Sequence, residues 1–167
     1  DQVRKNASDN QVRVAWESQR EDWNLVQLHP ADLKTAFFEV ETDAHNDFAG
    51  YWMPVGGEGW QDKVRQDITI DFLGVEMQAD EPAEVAALWG KVAGLPVEEE
   101  TNGLTLAFNN LKLRFVKAID GRGNGLGGID IAVADRESIL QEARARGCYR
   151  NDERVDICGV RWYLTDP

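Results

Sequence analysis

The sequence predicts an α+β fold built by duplicating one small βα unit, and three observations lead there. GVEMQAD followed by EPAEVAALWGKVAGL at 74–95 reads like GIDIAVAD followed by RESILQEARARG at 128–147. TLAFNNLKLRF at 105–115 reads like VDICGVRWYL at 155–164, so each copy closes on a pair of strands. Each copy also holds one helix with a single apolar stripe, and such a helix lying between strands covers one face of a sheet. The other face is left concave and open between the two copies.

Ahead of the repeats, QVRVAWES at 11–18, NLVQLHP at 24–30 and TAFFEVE at 35–41 read as strands. The opening DQVRKNASDN offers no leading helix of comparable quality. Residues 43–68 form a connector with Gly, Pro and Asp that also carries Phe48, Tyr51, Trp52 and Trp60. So much aromatic surface is expected to pack on the core. The first repeat's helix is expected at 82–93, with Asp80 as cap, Pro82 in its first turn and Gly94 past its end. Val85, Leu88, Trp89 and Val92 form its stripe. The second helix repeats the design, with Asp135 as cap, Ile139, Leu140 and Ala143 inward, and Gly147 as the stop. Between the copies, GRGNGLGG holds a formal G-x-G-x-x-G from Gly123 through Gly125 to Gly128. A dinucleotide fingerprint needs a helix directly after the glycines. A strand at 129–133 follows instead, so the segment reads as a flexible crossover.

The chain has 167 residues and a formal net charge of −12, which sets its surface against nucleic acid, whose binding needs clustered Lys and Arg. No apolar run approaches the ~18 residues of a membrane span. With no secretory h-region in the sequence, a cytoplasmic location is expected. Cys148 and Cys158 flank one expected hairpin and read as idle thiols rather than a disulfide. His29 and His45 are the two histidines and there is no G-x-S-x-G, which argues against a nucleophile-and-base mechanism.

The order strand, helix, three strands, given twice, resembles the vicinal oxygen chelate (glyoxalase-like) superfamily. LHPADLKTAFFEVE at 28–41 is similar to the closing strands of its methylmalonyl-CoA epimerase-like members. The resemblance implies paired βαβββ modules forming a cup-shaped mixed sheet with helices on the outer face. Residues 69–118 and 126–166 are then two complete modules, so that 69–167 forms one cup. Residues 1–42 are the closing strands of an incomplete module. Either its missing part lies upstream in a longer protein, which is the favoured reading, or another chain covers the gap.

The resemblance also implies chemistry. Such cups hold a divalent ion (Mg, Mn, Co, Ni or Zn), which stabilises the enolate formed when a substrate loses an α-proton. Strand alternation puts Ala36, Phe38 and Val40 on one face and Glu39 and Glu41 on the other. Glu39 matches a metal ligand, and Glu41 lies nearer the rim. His29 either contacts substrate or holds the HPAD turn, the turn being favoured; His45 is expected in solvent. In the complete pair, the matching positions read Phe72, Arg114, Gly128 and Tyr163, none a usual ligand, so this cup is expected to be metal-free. Glu76, Gln78 and Asp130 share its concave face. Arg114 either closes the cup as a satisfied internal ion pair or, helped by Tyr163, binds a carboxylate or phosphate of a small ligand.

Two functions follow. One is a metal-dependent isomerase or lyase in the intact protein, with Glu39 as ligand. The other is a non-catalytic module of the same fold for small-molecule binding, dimerisation or scaffolding. A small, anionic ligand and a homodimer are the expected partners.

Overall fold

In the computed structural model, residues 2–43, 57 and 59–167 are described. They open with helix α1 (Gln2–Asp9), strands β1 (Val14–Gln19) and β2 (Trp23–Leu28), a short helix α2 (Pro30–Leu33) and β3 (Phe38–Asp43). A 3-10 turn at Trp60–Lys63 leads into the first repeat, β4 (Thr69–Ala79), α3 (Pro82–Ala93), β5 (Glu98–Glu100), β6 (Gly103–Ala107) and β7 (Lys112–Lys117). The second repeat is β8 (Gly125–Val133), α4 (Arg136–Ala145), β9 (Tyr149–Asn151), β10 (Arg154–Ile157) and β11 (Val160–Thr165).

The repeats fuse into an eight-stranded sheet of order β5-β6-β7-β4-β8-β11-β10-β9. The two opening strands, β4 and β8, run antiparallel at its centre. Each has its own module's last strand beside it in parallel, β7 against β4 and β11 against β8. This is the paired βαβββ architecture expected from the sequence, a mixed sheet with both helices on one face.

That face is packed by two apolar clusters. Leu106, Leu113 and Phe115 of the sheet meet Val85, Trp89 and Val92 of α3. Ile131, Val133, Val155 and Leu164 meet Leu140 and Ala143 of α4. The helices differ on their far sides. β1, β2 and β3 form a separate antiparallel sheet whose Val26, Leu28, Phe38 and Val40, with Ala7 of α1 and Leu33 of α2, join the α3 cluster. Helix α3 is thus covered on both sides. Its sequence PAEVAALWGKVA carries apolar residues beyond one stripe, whereas α4, RESILQEARA, keeps a charged outer side.

Local chemistry sets most boundaries. α3 starts on Pro82 and stops at Gly94, whose left-handed φ of 73° ends the helix. Asp80 does not cap it. The N-cap is Glu81, without a side-chain bond, and Asp80 N–H instead donates to Asn124 Oδ1 at 2.8 Å. Asp135 does cap α4, accepting from Ser138 N at 2.9 Å. The N-terminal helix is an addition to the sequence reading. Its end is closed by Val12 N donating to Ala7 O at 2.8 Å, with Gln11 at φ 59°, so β1 begins at Val14 rather than at residue 11. β2 stops at Leu28 because the Pro30 turn follows, and the left-handed Lys34 delays β3 to Phe38.

Cys148 and Cys158 are free thiols. No helix of the described residues is long and apolar enough to cross a membrane. Phe48, Tyr51, Trp52 and His45 of the connector lie outside the described residues.

Candidate functional site

The concave face of the eight-stranded sheet presents the alternate residues of its four inner strands. Register brings two pairs level: Glu76 of β4 lies beside Arg114 of β7, and Asp130 of β8 lies beside Tyr163 of β11. These are equivalent positions of the two repeats, so the centre of the cup is built from one duplicated pair whose members have diverged.

Glu76 is the hub, with 2% of its surface exposed. Its Oε2 accepts from Arg114 Nη1 and, at 3.0 Å, from the Tyr163 hydroxyl. Its Oε1 accepts from Arg161 Nε at 2.6 Å. Arg161 is itself buried and also donates from Nη2 to Gln78 Oε1 at 2.8 Å and from Nη1 to Asp120 Oδ2 at 3.1 Å. Gln78 Nε2 donates on to Asp120 Oδ1 at 2.7 Å and to the Gly123 carbonyl at 2.9 Å. A buried charge is tolerated when paired and hydrogen-bonded, and this chain of bonds supplies both. The hydrogen bonds from Arg122 and Gln78 hold the Asp120 carboxyl well below the usual range.

The glycines of the crossover have a second role. Gly127 and Gly128 lie inside β8, not in a loop. A Cβ on Gly127 would stand 2.2 Å from Arg161 Nη2, and one on Gly128 would stand 2.7 Å from the Arg161 carbonyl and 2.8 Å from the Tyr163 ring. The absent side chains make room for the guanidinium and the phenol that close over Glu76. Gly121 and Gly123 lie in the crossover ahead of β8, with positive φ and open space where a Cβ would stand.

Arg114 bridges outward. Its Nη2 donates to Asp130 Oδ1 at 2.8 Å, and its guanidinium sits 4.7 Å from the Tyr163 ring centroid. Asp130 is the open member of the network, with 24% of its side chain exposed against 3% for Glu76. Burial pushes its carboxyl above the usual range, and the charge of Glu76 adds to the effect, against the pull of Arg114. Burial likewise raises the Tyr163 phenol, with Glu76 again adding.

Above this floor is a cavity of about 670 Å³. Six cationic side chains line it, Lys112, Arg114, Lys117, Arg136, Arg154 and Arg161, against the carboxylates of Glu76, Glu100, Asp130 and Glu153. Among the lining side chains cations outnumber carboxylates on a chain that carries −12, with Arg136, Arg154 and Arg161 also paired to Asp166, Asp156 and Asp120 at the margin.

Phe72 is not part of the site. It is 42% exposed, and a register shift between Phe72 and Gly74 breaks the alternation that sequence spacing assumes. The opening-strand positions level with Arg114 and Tyr163 are Glu76 and Asp130. Strand alternation sets Arg161 on the cup face with Tyr163, but its bond to Glu76 and the hub role of Glu76 were not apparent from sequence. The alignment of GVE with GID, which pairs Glu76 with Asp130, was the signal available. The carboxylates of this cup do not fit a divalent ion, because the Arg114 guanidinium lies between them and already carries the positive charge. No group of three or more His, Cys, Asp or Glu among the described residues is placed to hold a metal.

His29 caps the short helix α2. Its Nδ1 accepts from Ala31 N at 3.2 Å, which is the turn role. Glu39 and its neighbour Gln27 sit level on β3 and β2, on the face turned away from the core, and Gln27 Nε2 donates to the Glu39 carboxylate. Thus Arg114 and Tyr163 are brought together, while His29 caps α2 and Glu39 lies on the other sheet.

Two βαβββ units joined through their opening strands around a hollow constitute a glyoxalase-like, vicinal oxygen chelate fold. No protein-family model matches the sequence, and no curated protein does. Solved structures do resemble the fold. A hypothetical protein from Staphylococcus aureus aligns over 99% of this chain at 14% identity and a TM-score of 0.54, and this chain spans 61% of that longer one. Methylmalonyl-CoA epimerase from Mycobacterium tuberculosis aligns over 62% of this chain and 92% of its own at 13% identity, with a TM-score of 0.47. A hypothetical protein from Bacillus halodurans aligns over 58% of this chain and 94% of its own at 17% identity, with a TM-score of 0.42. At these identities the likeness is one of fold.

Proposed function

We infer that the cup formed by 69–167 is a metal-free binding site for a small organic anion, with Arg114 and Tyr163 on its floor. The observation that carries this reading is the cation-rich lining of a concave cavity on an otherwise acidic chain. Arg114 supports it. Of the five N–H groups of a guanidinium, two donate to the carboxylates of Glu76 and Asp130, and the others belong to a side chain that lines the cavity. Guanidinium forks suit planar anions, and the Tyr163 ring offers a flat apolar surface beside it.

A thermal-shift screen of small organic anions tests the reading, with Arg114→Ala as the control. A bound anion at a hundred times its Kd adds about 2.7 kcal/mol to stability, which moves the unfolding midpoint by roughly 5–10 °C for a chain of this size. The same anion is expected to leave Arg114→Ala unmoved. A screen in which nothing shifts the unmodified protein leaves the cup as scaffold.

A second reading attaches to Glu39. Its carboxylate has no basic partner among the described residues and faces away from the core, as a ligand contributed to a neighbouring cup would. One carboxylate does not make a metal centre, so a metal-dependent isomerase or lyase rests on residues beyond those described. Elemental analysis of the purified protein and of Glu39→Ala decides it. Loss of one bound divalent ion in the variant is expected, and equal metal content in both removes the idea.

A further inference from the structure

Two carboxylates share one guanidinium at the floor of the cup, and they hold it on unequal terms. Glu76 is sealed and has three partners, Arg114, Arg161 and Tyr163. Asp130 has one hydrogen bond among the described residues, to Arg114, and opens into the cavity. Its other neighbours do little to keep it ionised. From β4 it faces Glu76, a like charge. From β7 it faces Arg114, with Lys112 turned to Glu100 at 2.7 Å. From β11 it faces Tyr163, whose hydroxyl is spent on Glu76, and Arg161, whose guanidinium is spent on Glu76, Gln78 and Asp120. From β10, Arg154 lies 5.9 Å from the Tyr163 ring and forks onto Asp156. β8 itself, GLGGIDIAV, adds no other titratable group.

We propose that Asp130 stands in for the ligand: its carboxylate occupies the place on Arg114 that a carboxylate of the bound molecule takes over, and Asp130 then binds one proton from solvent and remains as a neutral acid. This rests on the anion-binding reading of the cup and narrows the ligand to a carboxylic acid anion. The position is already filled by a carboxylate of the right planar shape, presented to the cavity side of Arg114. A displaced, ionised Asp130 would be left beside Glu76 and the incoming anion, so protonation accompanies displacement. The neutral acid can then donate its O–H to the ligand. The direction in which burial moves this carboxyl agrees.

The sign of the pH effect follows. Above the pKa of Asp130, each ligand bound takes up a proton, so affinity falls with rising pH by up to tenfold per pH unit. Below it, affinity is flat. Isothermal titration with pyruvate and with lactate, both ionised between about pH 5.5 and 8, reads this directly, with inorganic phosphate as comparator. For the unmodified chain, titration near neutral pH in buffers of different ionisation heat is expected to show about one proton taken up per carboxylate bound. Asp130→Asn is expected to bind the same carboxylate more tightly near neutral pH, by a margin that widens up to about tenfold per pH unit, with a flat pH profile of its own. Zero proton uptake by the unmodified chain overturns the proposal. So does an Asp130→Asn that folds and keeps the original affinity and pH profile, and so does phosphate binding in preference to both carboxylates. In those cases the cup still binds an anion. Binding of no anion by either chain sinks the anion-binding reading itself.

Discussion

Glu76→Ala is expected to lower the unfolding free energy by about 3–5 kcal/mol, the usual consequence of removing one partner from a buried ion pair. Two guanidiniums and a phenol converge on this carboxylate, and its side chain is 3% exposed. Without it, Arg161 keeps Gln78 and Asp120, but Arg114 keeps only Asp130 as a charged partner, beside the Tyr163 ring. Two positive charges then face each other across the space that the carboxylate filled. Urea unfolding measures the effect as a lower midpoint with an unchanged slope. A loss of less than about 1 kcal/mol, the range of exposed pairs, would mean that water reaches the network. The same measurement separates structural from functional charge. Replacing Glu76, Arg114, Arg161 and Asp130 together by apolar residues of similar volume is expected to recover most of the stability, because a buried ion network is seldom worth more than good packing. A cup kept for stability alone has no need of these charges.

The parts legible in the sequence are those where local chemistry and tertiary packing agree. Helix α3 runs from Pro82 to Ala93 as expected, because proline opens it, glycine stops it and Val85, Trp89 and Val92 of the expected stripe are buried. Arg114, Arg161 and Tyr163 face the cup as strict alternation requires, since β7 and β11 keep their register with β4 and β8 throughout. Alternation failed at Phe72, where β4 takes an extra residue against β8 and the side-chain parity flips. Helix α1 was missed because QVRKNASD buries one residue, Ala7. It is held by a distant bond, Asn6 Nδ2 to the Val92 carbonyl at 3.1 Å, which no local pattern announces. Glu76 and Arg161 are 85 positions apart in sequence, and their meeting depends on β4, β8 and β11 lying side by side. Period two fixes the face on which a side chain lies, but not how far an arginine reaches across it.

Trp89→Ala is expected to cost about 3–5 kcal/mol, as deletion of a large buried aromatic does, and to loosen the N-terminal sheet along with α3. Trp89 is 2% exposed, and α3 holds it between the two sheets. On one side its ring stacks on Phe38 of β3, with centroids 5.3 Å apart and planes 24° apart. On the other it meets Phe115 of β7 at 6.1 Å. Its Nε1 donates to the Leu33 carbonyl of α2 at 3.0 Å, satisfying a buried acceptor that no apolar replacement can. Hydrogen exchange tests the coupling. In the variant, amides of β2 from Leu25 to Leu28 are expected to lose protection in step with those of α3, because the sheet packs on the cup's helix through this side chain. Trp89→Phe keeps most of the ring but abandons the Leu33 carbonyl, and should fall between the two. If β2 keeps its protection while α3 loses it, the three-stranded sheet stands by itself, and the docking of Glu39's sheet onto the cup contributes little to either.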